Sequence, residues 1–355
     1  MKTIRRLFNA CLLRPADLPA SRDDLEVIGV FNPGVVAAEK GVVMLVRVAE
    51  RPVERRTGFV ALPRWDLAGK RVVVDWMRDD ETPPVDVRVV KHKQSGLVRL
   101  SFISHLRVVR SRDGRSIDSI DGARLEPATE YEEYGVEDPR ITRIGDTFYI
   151  TYVAVSRHGV ATALASTRDF SSFQRHGIIF PPENKDVVLF PERIGGRYHA
   201  LHRPAGSASF TKPEMWIATS PDLSHWGGHE HFLGGTGEWA VGRVGAGTPP
   251  VRTSEGWLEV YHGNSQGHGD SDIGIYSAGV LLLDLEDPRR VLGASGPVFA
   301  PETAFEREGY VPNVVFPTGI VVRDGTALIY YGAADTVTGV LELSMREMLD
   351  SARRL

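Results

Sequence analysis

Five times along the chain, a turn of glycine or charged residues leads into a short apolar run with Tyr, His or Arg at or near its end. The copies are GVVMLVRV (41–48), GDTFYITYV (145–153), GRYHALHRP (196–204), GWLEVYHG (256–263) and GTALIYYG (325–332). Runs of this length, rich in β-branched and aromatic residues and bounded by turn residues, predict strands. A proline-bearing segment precedes each: FNPGVV (31–36), EDPRITRI (137–144), FPERI (190–194), TPPVRT (248–253) and FPTGIVV (316–322). A third strand follows and often ends in a Ser/Thr-x-Asp turn, as in RVVRSRDG (107–114), ALASTRDF (163–170) and WIATSPDL (216–223); GVLLLDLEDP (279–288) holds that place in the fourth copy.

The glycines at 145, 196, 256 and 325 are 51, 60 and 69 residues apart, whereas Gly41 and Gly145 are separated by 104. The long first step predicts an insertion within 50–95, and the prolines and charges of DWMRDDETPPVDVRVVKHKQ predict that it is an exposed excursion. Three clear strands and a plausible fourth per unit are the pattern of a propeller blade. The expectation is an all-β, five-bladed β-propeller in which residues 1–355 form a single domain; a β-sandwich with coincidental spacing is the alternative. Helical character is confined to LELSMREMLDSARR (341–354) at the C-terminus.

Composition agrees: 36 glycines and 22 prolines favour many turns and short strands. With 42 basic and 46 acidic residues the net charge is −4, which gives no electrostatic footprint for nucleic acid. The single cysteine, Cys11, excludes an internal disulfide and a multi-cysteine zinc site. No stretch approaches the ~20 apolar residues of a membrane span. The basic start MKTIRR leads into an apolar run broken by Asn9 and stopped by Arg14 and Pro15, so it reads as mature sequence and the protein as cytoplasmic.

In a propeller the proline-bearing strands are innermost, and their polar residues Asn32, Glu137, Asp138, Asp186 and Asn313 would ring one central pocket. The ends of the second strands add Arg47, Arg203, His262 and Asp335. Asp138 alone could serve a turn before Pro139, and a lone Arg or His at a strand end usually has a structural partner. Lys185, Arg203, Arg243 and His262 converging on one channel, however, would be costly without a bound anion. Phosphate or a carboxylated sugar is the natural candidate, although each cation could instead pair with a local carboxylate such as Glu192 or Asp186. No metal is expected, since the histidines, including HEH (229–231), form no persuasive ligand motif. A P-loop and a GxGxxG turn are missing.

Several segments together resemble glycoside hydrolase family 130, the β-mannoside phosphorylases and related β-mannosidases. They are RRLFNACLLRPADLP (5–19), FNPG (31–34), YGVEDPRI (134–141), ENKDVVLFPERI (183–194), LHRP (201–204), GAGTPP (245–250), YHG (261–263), LLLDLEDPRRVLG (281–293), VPNVVFPTG (311–319) and YYGAAD (330–335). The resemblance implies a five-bladed propeller and assigns the general acid to Asp138, its proton relayed through a hydroxyl of the bound mannosyl unit. It places Asn32, Arg47 and Asp335 at the mannosyl subsite. Lys185, Arg203, Arg243 and His262 would bind phosphate. At two of these positions Lys and Arg are exchanged relative to some family members, which keeps the charge and changes the hydrogen-bonding geometry.

The function expected is an inverting phosphorylase that cleaves a β-mannoside with inorganic phosphate to give α-mannose 1-phosphate, with phosphate as co-substrate and no cofactor. An inverting β-mannosidase on the same fold is the first alternative; it would need a carboxylate base roughly 6.5–9.5 Å from the acid. A non-catalytic glycan-binding propeller is the second. The insertion and the 205–214 loop are expected to select the leaving sugar or to make contacts between copies in a homo-oligomer.

Overall fold

The repeats fold as antiparallel hairpins. The structure, a computed structural model, describes residues 3–205, 210–235, 237–267 and 273–352, so residues 206–209 of the 205–214 loop lie outside the described residues. The glycines that open the apolar runs occupy the turn between the first and second strand of each unit. Gly41, Gly145, Gly196, Gly256 and Gly325 have φ of 118°, 60°, 79°, 151° and 78°, a backbone region that residues with a Cβ rarely adopt. At Gly41 an added Cβ would also lie 2.2 Å from the Ser111 carbonyl oxygen.

Among the described residues the strands group into five units of four, the first two joined into one eight-stranded sheet by a Gly135–Ser104 pair. The first comprises Leu25–Ala38, Gly41–Pro52, Ile103–Ser111 and Ser119–Leu125, and the second Gly135–Ile144, Thr147–Ser156, Gly159–Thr167 and Gln174–Phe180. The third is Asn184–Leu189, Tyr198–Pro204, Met215–Ser220 and Gly227–Leu233. In the fourth the first strand is split into Arg243–Ala246 and Val251–Arg252, followed by Trp257–Asn264, Tyr276–Leu283 and Val291–Ala294. The fifth, Val315–Arg323, Thr326–Ala333 and Val337–Ser344, takes its outermost strand, Phe8–Leu13, from the other end of the chain. The protein is all-β apart from short helical segments.

The Ser/Thr-x-Asp turns share one geometry. The Ser111, Thr167 and Ser220 hydroxyls accept from the backbone N–H three residues on, at 2.7, 2.9 and 2.9 Å. That third residue, Gly114, Phe170 or Leu223, has φ of 77°, 65° or 72°. The bends at Phe170 and Leu223 turn large side chains inward, where both are almost wholly buried.

Hydrophobic clusters form between successive units. Val43, Leu106, Val136 and Ile150 join the first to the second; Leu164, Phe180, Leu189 and Ala200 join the second to the third. Val188, Leu201, Val244 and Tyr261 join the third to the fourth, and Leu258, Val280, Val315 and Ile329 the fourth to the fifth. Val30, Val46, Val321 and Tyr330 join the fifth back to the first. First strands also touch one another, Leu25–Ala38 lying against both Gly135–Ile144 and Val315–Arg323.

Two expectations need correction. The C-terminal helix is Met345–Ala352, whereas 341–344 belong to a strand. Leu341 and Leu343 alternate with period two and share one core cluster, a strand pattern that the following helical residues obscure. The insertion is also not simply an exposed excursion. It forms hairpins Phe59–Asp66/Arg71–Arg78 and Val89–Lys91/Val98–Leu100. Although Phe59, Val85 and Val87 are exposed, Leu62, Val90 and Arg99 are buried, and Arg99 donates to the Leu62 carbonyl at 3.0 Å.

Candidate active site

Three first strands break register at the same place. Asn32, Asp138 and Asp186 each sit in a bulge, with φ of 49°, 46° and 57°. Asn and Asp tolerate this left-handed backbone better than other residues with a Cβ, and a bulge re-aims the side chain it carries. Asn32 and Asp138 line a cavity of about 460 Å³, together with Arg47, Glu137, Lys185, Arg203, Arg243 and Asp335. Aromatic walls come from Phe31, Phe102, Tyr276, Tyr310 and Phe316.

One end of the cavity is built on Asp138. Arg47 divides its guanidinium between the two adjacent carboxylates, donating to Asp138 at 2.9 Å and to Glu137 at 2.7 Å, while its Nε donates to the Ser104 hydroxyl at 3.1 Å. The Phe31 ring lies 4.5 Å beneath the guanidinium. Asn32 donates to the same Asp138 oxygen at 2.8 Å, and Lys185 Nζ is 3.9 Å from the other. Burial pushes the Asp138 carboxyl up, but Arg47, Lys185, Arg140 and the Asn32 amide together hold it below the ordinary value. Glu137 goes the other way, because burial, reinforced by the charge on Asp138, outweighs Arg47. Of the two adjacent carboxyls, Glu137 therefore holds a proton more readily.

Asn32 Oδ1 has no hydrogen-bond partner among the described residues, and it lies so near Gly332 that a Cβ there would be 1.7 Å away. Glycine in YYGAAD is thus what lets the carboxamide reach Asp138. Asp335, with φ of 47°, follows the same strand.

The other end is built on Asp186, which is fully buried. Arg203 Nη1 is 3.0 Å and His262 Nε2 3.4 Å from its Oδ2, so both face Asp186, whereas Glu192 is taken by Arg252. Burial raises the Asp186 carboxyl, yet Arg203 and His262 hold it far below the ordinary range. Burial pushes the His262 imidazole down to about 4 despite Asp186, so it is neutral at pH 7. His262 is entirely buried and lies behind the cavity wall, 3.3 Å from Arg203 Nη1. Among the described residues, Arg203 Nε and Arg243 Nε have no hydrogen-bond partner. Lys185, Arg203 and Arg243 line this cavity, Lys185 between Asp138 and the two arginines and Arg203 against Asp186 behind the wall, a cluster of positive charge suited to an anion.

Arg140 ties the two ends together. It donates to the Asp138 carbonyl at 2.8 Å and the Gly247 carbonyl at 2.7 Å, and its Nη2 is 3.9 Å from Asp186. Asn313 lies elsewhere, on a neighbouring cavity of about 350 Å³. Sequence reasoning missed Arg88, which comes from the insertion, lines the central cavity and lies 3.7 Å from Asp335. Its only sequence signal is an arginine in a strand-like run, VDVRVV, inside a segment read as exposed.

Comparison with known proteins places this geometry in context. A family profile, glycoside hydrolase 130, described as beta-1,4-mannooligosaccharide phosphorylase, matches residues 100–354. The chain is 40% identical to beta-1,2-mannobiose phosphorylase of Listeria innocua over 344 residues, 95% of each chain. It is 38% identical to 1,2-beta-oligomannan phosphorylase of Thermoanaerobacter sp. over 252 residues, 70% of this chain and 81% of the relative. The solved Listeria innocua beta-1,2-mannobiose phosphorylase, in complex with beta-1,2-mannobiose, superposes with a TM-score of 0.90 at 39% identity and 96% coverage of both chains.

Proposed function

Because the chain belongs to glycoside hydrolase family 130, we propose that it is an inverting phosphorylase of β-mannosides, with β-1,2-mannobiose as its substrate class. The five four-stranded units are read as the blades of a five-bladed propeller forming one catalytic domain. The cyclic order of the clusters between units supports this reading, as does a last unit completed by the Phe8–Leu13 strand. The observation that carries the function is the cavity's division into an acid-bearing end at Asp138 and a cation-rich end at Lys185, Arg203 and Arg243.

The mannosyl unit sits against Asn32, Arg47 and Asp335, with phosphate on the cationic side. His262 acts there through Arg203. A phosphate oxygen bonds to the anomeric carbon from the face opposite the leaving sugar. The bond from that carbon to the glycosidic oxygen breaks, and its electron pair goes to the leaving oxygen, which takes a proton. Asp138 supplies that proton through a mannosyl hydroxyl, and the hydrogen carried by hydrogenphosphate restores it. The product is α-mannose 1-phosphate. Because phosphate is already anionic, no protein base is needed; a cationic cradle is.

The electrostatics fit this order of events. Lys185 is one of the charges that hold the Asp138 carboxyl below its ordinary value. A phosphate anion beside Lys185 offsets that charge and favours the protonated carboxyl. The acid thus becomes competent when its co-substrate arrives, which favours phosphate over water as the acceptor.

Incubating the protein with β-1,2-mannobiose, with and without inorganic phosphate, tests the reading. Mannose 1-phosphate should form only with phosphate; free mannose released at equal rates in both would make the protein a mannosidase. Gly332→Ala should preserve the fold but displace the Asn32 carboxamide and cut turnover about tenfold, by loss of one hydrogen bond to a charged group. Unchanged turnover in a folded Gly332→Ala protein would remove Asn32 from the site.

A further inference from the structure

The insertion between the second and third strands of the first unit delivers a side chain to the cavity. Arg88 stands at the start of the Val89–Lys91 strand, and its backbone is pinned on several sides. Asp86 Oδ1 accepts from the Arg88 and Val89 N–H groups at 2.7 and 3.1 Å, and the Arg88 carbonyl accepts from the Ser101 N–H at 3.0 Å. The Tyr310 hydroxyl donates to the neighbouring Val87 carbonyl. Asp86 Oδ2 takes one guanidinium nitrogen at 2.9 Å, and Arg88 Nη1 faces Asp335 Oδ2 at 3.7 Å. Arg88 Nε is buried without a hydrogen-bond partner among the described residues. An arginine fixed from behind and aimed at a neighbouring, largely buried carboxylate of the cavity wall is arranged to orient it.

We propose that Arg88 is a positioning residue of the mannosyl subsite, holding the Asp335 carboxylate toward the sugar hydroxyls. This rests on the phosphorylase reading for the role of Asp335. The charged groups around Asp335 are Arg88, Arg47, Lys185 and Asp138. Burial raises the Asp335 carboxyl, and Arg88 leads the cations that oppose that rise. Without Arg88, Asp335 keeps its proton to higher pH and accepts hydroxyl hydrogen bonds poorly. The inserted hairpins are therefore part of the sugar-binding apparatus, although they lie outside the repeated units.

Steady-state kinetics on the full chain test this with Arg88→Ala, Arg88→Lys, Asp335→Asn and the Arg88→Ala/Asp335→Asn double variant. Arg88→Ala should raise the KM for β-1,2-mannobiose about tenfold, the effect of one charge-assisted hydrogen bond, and leave the KM for phosphate within about twofold. Arg88→Lys should recover part of the loss. The acid limb of the kcat/KM profile for mannobiose should move to higher pH in Arg88→Ala, and the double variant should be no worse than Asp335→Asn. An unchanged mannobiose KM, or losses that add in the double variant, would overturn the proposal. A parallel rise in both KM values without rescue by lysine would reduce Arg88 to a support of the hairpin and overturn it equally. If wild-type protein forms no mannose 1-phosphate, the functional reading fails by itself. Calorimetric titration with mannose then decides the role of Arg88: binding about tenfold weaker in Arg88→Ala supports it, and equal or undetectable binding by both proteins refutes it.

Discussion

Replacing Asp138 by asparagine is expected to cut phosphorolysis of β-1,2-mannobiose by roughly 10²–10⁴-fold, the usual contribution of a general acid. Asparagine retains an oxygen that can accept from Asn32 and from Arg47, the contacts now made at 2.8 and 2.9 Å, so the subsite should keep its shape. What disappears is the exchangeable proton. An aryl mannoside with a good leaving group needs little protonation, and its turnover should fall far less than that of mannobiose. Melting temperature and mannose affinity should stay near those of the parent. Near-parental turnover of mannobiose would remove Asp138 from the acid role, and an equal fall for both substrates would mean that Asp138 binds rather than protonates.

The second large effect is expected at the cationic end. Arg203→Ala should raise the KM for phosphate roughly ten- to a hundredfold, as loss of a charge-assisted contact to an anion does. It also leaves Asp186, buried on all sides, with one ion-pair partner fewer. Breaking a buried pair from one side is destabilising, so the melting temperature should drop as well. Lys185→Ala separates the two effects, because the Lys185 side chain is 29% exposed and reaches Asp138 only at 3.9 Å, whereas Arg47 and Asn32 still hold that carboxylate. It should raise the phosphate KM without lowering the melting temperature. Residual hydrolysis of an activated mannoside should survive both changes. A phosphate KM unaffected by either variant would mean that the cations serve only to neutralise Asp186.

The parts of this architecture that repeat locally were legible in the sequence. Turn glycines, apolar runs and Ser/Thr-x-Asp endings are each set by a few neighbouring residues, and all five hairpins could be read from them. The bulges were half legible: Asn-Pro and Asp-Pro in FNPG and EDPR mark irregular backbone, but nothing local says that Asp186 in KDVV makes the same bend. Long-range pairing was the opaque part. Composition does not tell whether Arg203 and His262 share a carboxylate, and both alternatives were written in the same residues until the fold set Asp186 between them. Arg88 was hidden because its partner is Asp335, on the last unit, and because the polar segment around it resembles a solvated loop. The fourth unit's first strand, interrupted by Gly247, Pro249 and Pro250, was read from its proline segment alone.

The strand shared between the chain's two ends bears on how the molecule assembles. The Tyr331 hydroxyl donates to Asn9 Oδ1 at 2.8 Å across 322 positions of sequence, and the Phe8–Leu13 ladder lies alongside that contact. Closing so long a loop is entropically late. Until it closes, Val337–Ser344 is an open edge, its N–H and C=O groups available to any other extended chain. The hazard during refolding is therefore a partly assembled fold with one sticky border. A foreign β-strand, or the Phe8–Leu13 segment of a second molecule, can occupy the place meant for the chain's own, and an exchange of that strand between two copies would join them without disturbing either cavity.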